Sequence, residues 1–385
     1  MYIERTLKNR FMKLAGVYNV LALVGPRQAG KTTFLRNNEG VSQYLTFDDP
    51  DVRDLFDQDI KMFEKQFLRK GSLAILDEVN YGKGSGQKLK YLADSGHQLW
   101  VTSSSEMLLD KEVLSYLVGR VSIIRLYPFS LSEFLAARGV ASWEGQIFKR
   151  ERWEHMTYGG YPKVVLTDDT ELKQRILSDL SETMVLKDIA NTFSIEDIGS
   201  LQRFIRYLAN RTGSLVAYNR ISDDLNISFQ TVKKYIDAME RSYLIKTVTP
   251  YYTNKNKEIT KQPKIYYLDT GLRNSIAKDY STEPSGALFE NYVFSELVKQ
   301  GLEPRFWRSK SRAEVDFVVE KDNKLIPIEV KLNQTRIPGS LKSFIDMYAP
   351  EECFVVNYSE FTKRTAYKRS KVEILGIGSL LKRLS

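Results

Sequence analysis

One cysteine and two histidines are all that 385 residues offer of the side chains suited to thiol, imidazole or zinc chemistry. Cys353 alone can close no intramolecular disulfide and build no cysteine zinc cluster. His97 and His155 are too sparse for a histidine metal cage, and no serine- or cysteine-hydrolase motif accompanies them to suggest a histidine-centred triad. Long apolar runs are missing too, and none approaches the roughly 18–20 residues that span a bilayer. The opening "MYIERTLKNRF" is charged and lacks the apolar centre of a secretory signal. The expected setting is a reducing cytoplasm, with no membrane partner. A strong compositional bias is also lacking. Hydrophobic residues make up 42% and charged residues 27%, which suits folded globular domains rather than disorder. The length suits two or three of them.

What is present is a net charge of +9, unevenly placed. Residues 1–200 carry 26 Lys and Arg against 27 Asp and Glu; residues 201–385 carry 31 against 21. A basic second half points to a polyanion partner, most simply DNA. The same surplus would also serve a merely soluble basic surface.

The strongest motif is "VGPRQAGKTTF", residues 24–34. Gly25, Gly30, Lys31 and Thr32 satisfy G-x-x-x-x-G-K-[ST], after an apolar strand-like run and before a helix-forming stretch. Backbone amides along Gly25, Pro26, Arg27, Gln28, Ala29 and Gly30 can cradle phosphate, aided by the helix N-terminus that Lys31, Thr32 and Thr33 open. Lys31 would reach the β/γ-phosphates, and the Thr32 hydroxyl would ligate Mg²⁺. ATP and Mg²⁺ are the cofactors expected.

A phosphate site that hydrolyses its ligand needs a metal-holding carboxylate and a base for water. "GSLAILDEVN" supplies Asp77 for the Mg²⁺ shell and Glu78 to polarise the attacking water. "HQLWVTSSSEML" ends a further strand in hydroxyls, among them Ser105, and Ser103 or Ser104 is the candidate to face the γ-phosphate. Arg120 can serve as an arginine finger for a neighbouring subunit in a homo-oligomer, or simply as a surface arginine at a turn. Strands near 18–24, 42–47, 72–76, 98–102 and 121–126 alternate with helices, so a parallel sheet covered on both faces is expected.

"GPRQAGKTT", "ILDEV", "VTSSSEML", "LVGRVSIIRLYPFSLSEF" and "YGGYPKVV", in that order, resemble prokaryotic AAA+-type ATPases that carry a C-terminal domain of unknown function. The resemblance implies a second half made of a winged helix and a restriction-endonuclease-like core. "KIYYLDTGLRNSI", "GALFENYVFSELV" and "RAEVDFVV…IPIEVK" match those landmarks. One departure is Thr102-Ser103, where that family often has glycine before the serines. The fold expected is therefore α/β: a P-loop core over 1–150, a helical lid over 151–210, a winged helix-turn-helix over 211–275, and a nuclease-like domain over 276–385.

Within the second half, Ser228 reads as the N-cap of a helix with Val232, Ile236 and Met239 inward. Gln230, Lys233 and Lys234 then face outward towards DNA, followed by a wing with a Lys/Asn-rich tip at 254–261. Asp316, Glu329 and Lys331 lie on a hairpin read as strands 314–320 and 325–332, with Glu290 on an upstream helix. That is the D…E-x-K pattern, in which Glu290, Asp316 and Glu329 gather Mg²⁺ and Lys331 positions or deprotonates water. Such domains also persist as silent DNA clamps. Two functions therefore stand side by side: an ATPase driving a DNA-directed half, and an ATP-dependent signalling switch that acts through protein partners.

Overall fold

The computed structural model describes residues 2–38, 40–69, 71–104, 116–252 and 261–385. Packing divides them into two compact units. One runs to Phe129 and takes in Tyr161–Lys163 and Arg241–Tyr243, and the other holds the rest.

The first unit is built on β1 (Val20–Val24), β2 (Val41–Thr46), β3 (Leu73–Asp77), β4 (Gln98–Ser103) and β5 (Val121–Arg125). They pair in the order β2-β3-β4-β1-β5, every pair parallel. All five residues of β1 are buried, the continuous apolar run of a strand covered on both faces. The register sets Val24 opposite Ser103 and Thr46 opposite Asp77, so the carboxyl ends of the central strands share one edge. Open parallel sheets bind ligands at such an edge. The helix Lys31–Arg36, which follows the phosphate loop, is fixed by Phe34. Its ring meets Phe11 edge-on at 5.1 Å, and Phe11 meets Trp100 at 4.8 Å. Burying a side chain of this size stabilises by about 1.5–3 kcal/mol and holds the helix N-terminus at the sheet edge.

In the second unit the helices Gly145–Tyr158 and Thr170–Thr183 pack on the helix Thr270–Ala277. Close approach requires glycine, since a Cβ at Gly271 would lie 2.1 Å from the Tyr158 carbonyl oxygen. Asp269 caps its own helix through the Leu272 amide and also accepts from the Gly160 amide at 2.8 Å. The two glycines of the turn "GGYP" thus form half of a helix junction. The Arg273 guanidinium adds a bond to the Ala209 carbonyl. Helices expected as a lid over the nucleotide sheet are, by these contacts, part of the second unit.

Three helices, Ile198–Ala209, Tyr218–Leu225 and Phe229–Arg241, are followed by an antiparallel pair, β6 (Ile245–Val248) and β7 (Lys264–Tyr267). The Ser228 hydroxyl accepts from the Thr231 amide at 3.0 Å, the expected N-cap, and Val232, Ile236 and Met239 are buried. Of the expected Lys/Asn-rich tip, residues 254–260 lie outside the described residues, as does Ser105.

The unit closes on a six-stranded mixed sheet: β8 (Arg305–Arg308), β9 (Glu314–Lys321), β10 (Lys324–Lys331), β11 (Glu352–Asn357), β12 (Lys363–Tyr367) and β13 (Ser370–Gly376). Its order is β12-β13-β11-β10-β9-β8. The β9–β10 hairpin turns on two residues, Asp322 and Asn323, both at positive φ as a tight primed turn requires. The helix Gly339–Tyr348 covers one face, with Leu341, Phe344 and Ile345 packed on Val318, Val355 and Ile374.

Candidate functional site

The glycine-rich loop leaves β1 with Gly25 at φ 148° and a Cβ position 2.1 Å from the Leu126 carbonyl oxygen, so no other residue fits there. Gln28 at φ 59° and Gly30 at φ 97° turn the backbone through left-handed conformations. Alternation of this kind aims successive amides into one concavity, which suits an anion. Pro26 and Ala29 are buried, and Thr33 is exposed one residue beyond Thr32. Arg27 bonds the Tyr81 hydroxyl at 2.8 Å.

Lys31 is 6% exposed, and its ammonium lies folded back on the loop. It donates to the Gly25 and Pro26 carbonyls at 2.9 and 3.1 Å, and stands 4.0 Å from Glu78 Oε1. Beneath the loop, Arg5 donates to the Ala29 carbonyl at 2.9 Å and to that of Tyr127 at 2.5 Å. Arg5 precedes β1 by fifteen residues, and nothing local in the sequence signals its bracing role.

Asp77 collects three hydroxyls: Thr32 at 2.9 Å, Tyr44 at 2.7 Å and Thr102 at 2.5 Å. Burial, and then the bond to Asp77, push the Tyr44 phenol up to about 12. Hydroxyl and carboxylate so close make a hard-oxygen donor set that fits Mg²⁺, an ion that keeps several waters and takes one or two protein ligands. Glu78 is held at φ 54°, and its Oε2 accepts from the Ser104 amide and hydroxyl at 3.2 Å each. The Glu78 amide in turn donates to Thr102 Oγ1 at 2.8 Å.

Thr102 and Ser104 are therefore the hydroxyls that touch the acidic pair, and strand alternation places Ser103 on the other side. The expectation for Ser103 shifts to its two neighbours. Arg120 departs further from expectation. It begins β5, whose Val121 pairs with Val20, so it lies at the sheet end opposite its own loop, a strand of five residues or roughly 17 Å away. There it bonds Asp94 at 2.7 Å. A nucleotide contact from Arg120 within its own subunit is ruled out by that register.

With this geometry, sequence comparisons are informative. Residues 17–135 match the AAA domain family. The first unit carries a P-loop domain of AAA type. Residues 149–283 and 285–378 match two domains of unknown function, DUF8612 and DUF4143. This AAA-type chain is 28% identical over 331 residues to an uncharacterised protein of Haemophilus influenzae, covering 81% of this chain and 82% of that one. An uncharacterised protein of Methanocaldococcus jannaschii is 26% identical over 364 residues, 87% of this chain and 80% of that one. Among solved structures, the Walker-type ATPase PABY2304 of Pyrococcus abyssi aligns with a TM-score of 0.45 at 14% identity, over 71% of this chain and 96% of that one.

In the second unit, Glu290, Asp316, Glu329 and Lys331 meet in one network. The Lys331 ammonium lies 2.9 Å from Glu329 Oε1 and 3.4 Å from Asp316 Oδ2, which also accepts from the Val330 amide at 2.7 Å. Ser340 donates to Glu329 Oε1 at 2.9 Å. Burial, and then the neighbouring Asp316 charge, raise Glu290 and push Glu329 up to about 7. Burial works against the charge on Lys331, but Asp316 and Glu329 outweigh it and hold its pKa above the ordinary lysine value. Lys264 of β7, absent from the sequence pattern, joins the network from another sheet: its ammonium lies 2.6 Å from Glu314 Oε1 and 3.3 Å from Glu290 Oε1. Among the described residues, no three His, Cys, Asp or Glu side chains gather so as to hold a metal ion. The metal role expected of Glu290, Asp316 and Glu329 does not fit this arrangement, because ammonium groups stand among the carboxylates.

Proposed function

We propose that the chain binds and hydrolyses ATP with Mg²⁺ at the loop of the first unit, and that its second half is directed to DNA. The observation that carries the first part is the convergence of Lys31, Thr32, Asp77 and Glu78 on one sheet edge, with Glu78 tethered by Ser104. In this reading Mg²⁺, when bound beside Thr32 and Asp77, offsets phosphate charge. Lys31 exchanges the Gly25 and Pro26 carbonyls for phosphate oxygens, and in doing so leaves Glu78 Oε1. Glu78 then takes the proton of the attacking water. Ser104 fixes the direction of that carboxylate, and Tyr44 orients Asp77. Replacing Tyr44 by Phe is expected to raise the Mg²⁺ concentration for half-maximal turnover severalfold, within the tenfold that about 1.4 kcal/mol represents. Turnover at saturating Mg²⁺ should stay near that of the unaltered chain. An unchanged Mg²⁺ requirement would remove Tyr44 from the site.

For the second part, the three helices and the β6–β7 pair support a winged helix-turn-helix reading, with the helix Phe229–Arg241 presented to the major groove. Gln230 and Lys233 are exposed on it, whereas Lys234 donates to the Ser194 carbonyl at 3.1 Å. The β8–β13 sheet supports the restriction-endonuclease-like reading. Its lysine-neutralised carboxylates favour a scaffold that holds DNA without cutting it. ATP turnover measured with and without duplex DNA tests the coupling, and stimulation is the expected result. Replacing Gln230 and Lys233 with Glu should abolish stimulation and leave basal turnover intact. It should also flatten the salt dependence of DNA binding, by about one unit of slope for each phosphate no longer neutralised. Turnover indifferent to DNA, with no salt-sensitive binding, would instead favour a switch that works through protein partners.

A further inference from the structure

Four carboxylates, of Glu290, Glu314, Asp316 and Glu329, share one neighbourhood with the ammonium groups of Lys264 and Lys331. The Arg308 guanidinium stands at its margin, 3.7 Å from Glu314 Oε2. Lys331 belongs to the hairpin that carries Asp316 and Glu329. Lys264 does not. It comes from β7, paired to β6 in a separate two-stranded sheet, and its side chain is 4% exposed. Its ammonium bridges two carboxylates at 2.6 and 3.3 Å, the bonding role of a cation rather than of a catalytic base. A lysine ammonium is a compact point charge, and so is the nearest side-chain substitute for a metal ion.

A second observation indicates that the cluster is short of positive charge. Among the described residues, Glu329 Oε2 is buried without a hydrogen-bond partner, while the other oxygen of the same carboxylate is bonded to Lys331 and Ser340. A buried carboxylate oxygen left unsatisfied is costly, and a cation would satisfy it.

We propose that Lys264 is a tethered cation occupying the place of a divalent metal ion in this cluster, so that a metal ion binds there only when the ammonium is removed. The disagreement between the carboxylate pattern and its geometry follows directly. The acidic residues are those of a metal centre, and a lysine from another sheet has taken the ion's position. The cluster is thereby joined to the strand pair that follows the helix Phe229–Arg241, a link independent of any nucleotide.

Mn²⁺ binding to the full chain, followed by the paramagnetic signal of the free ion, tests this without nucleotide or DNA. The outcome is therefore separate from the fate of the ATPase reading. An Asp77→Asn background removes the carboxylate of the phosphate loop. With Lys264 present, Mn²⁺ should remain free at micromolar concentrations. Lys264→Met should bind one ion per chain on the order of 100-fold more tightly, as expected when a like charge a few ångströms away is deleted. Adding Glu290→Gln should abolish that binding. Equal Mn²⁺ affinity with and without Lys264, or a Lys264→Met chain that melts cooperatively yet takes up no ion, would overturn the proposal. Should Lys264→Met fail to fold, amine acetylation of the unaltered chain decides: Lys264 should be protected without Mn²⁺ and modified at millimolar Mn²⁺. Protection unaltered by the ion overturns the proposal.

Discussion

Replacing Glu78 by Gln is expected to leave ATP binding nearly intact and to slow steady-state hydrolysis by about 10²–10⁴-fold, the usual contribution of a positioned general base. The substitution keeps the shape of the side chain. It also keeps an oxygen that can accept from the Ser104 amide and hydroxyl, so the local tether survives. What is lost is an oxygen able to take a proton from water. The backbone is unaffected, because Gln tolerates the φ of 54° at this position about as well as Glu does. Titration of a fluorescent ATP analogue alongside phosphate release separates the two effects. A variant that binds ATP normally and hydrolyses it at the unaltered rate would take Glu78 out of the chemistry and transfer the base role to another group. A variant that no longer binds would mean that the residue holds the loop rather than activates water.

Much of this site was legible because its chemistry is encoded by neighbours in sequence. The spacing of Gly25, Gly30, Lys31 and Thr32 fixes a loop, and an apolar strand before Asp77 and Glu78 fixes an edge. All five strands of the first sheet lie within about two residues of the expected positions, since buried parallel strands read as unbroken apolar runs. The parts that were not legible depend on register and on distant pairing. Strand alternation could have selected Thr102 and Ser104 over Ser103, had the register of β4 against β3 been known. Arg120 stands near β1 in the fold but at its wrong end, which only the pairing of Val20 with Val121 reveals. Tyr44 reaches Asp77 from β2, and Lys264 reaches Glu290 from another sheet, with no periodic signal announcing either contact. The E-x-K pattern correctly brought Glu329 and Lys331 to Asp316. It carried no information about which cation would neutralise them.

Replacing Lys31 by Ala is expected to weaken ATP binding by on the order of 10²–10⁴-fold, measured by calorimetry at saturating Mg²⁺. Two charge-assisted bonds to phosphate oxygens, at about 1.5–3 kcal/mol each, account for that range. The fold of the unit should survive, because the Lys31 ammonium bonds loop carbonyls and approaches Glu78, while Phe34 and Leu35 hold its helix to the core. Lys31→Arg is the sharper comparison, since it preserves the charge. The ammonium fits between the carbonyls of Gly25 and Pro26 at about 3 Å, a space for one compact donor. A planar guanidinium presents a wider fork and cannot take the same position without moving the loop. The loop in turn cannot move freely, because Gly25 lies against the Leu126 backbone. Arg should therefore bind ATP nearly as poorly as Ala, and cooperative melting of both variants near the unaltered temperature would separate lost affinity from lost folding. If Arg restored full affinity, long-range charge alone would explain nucleotide retention, and the close-fitting cradle of the loop would have no part in it.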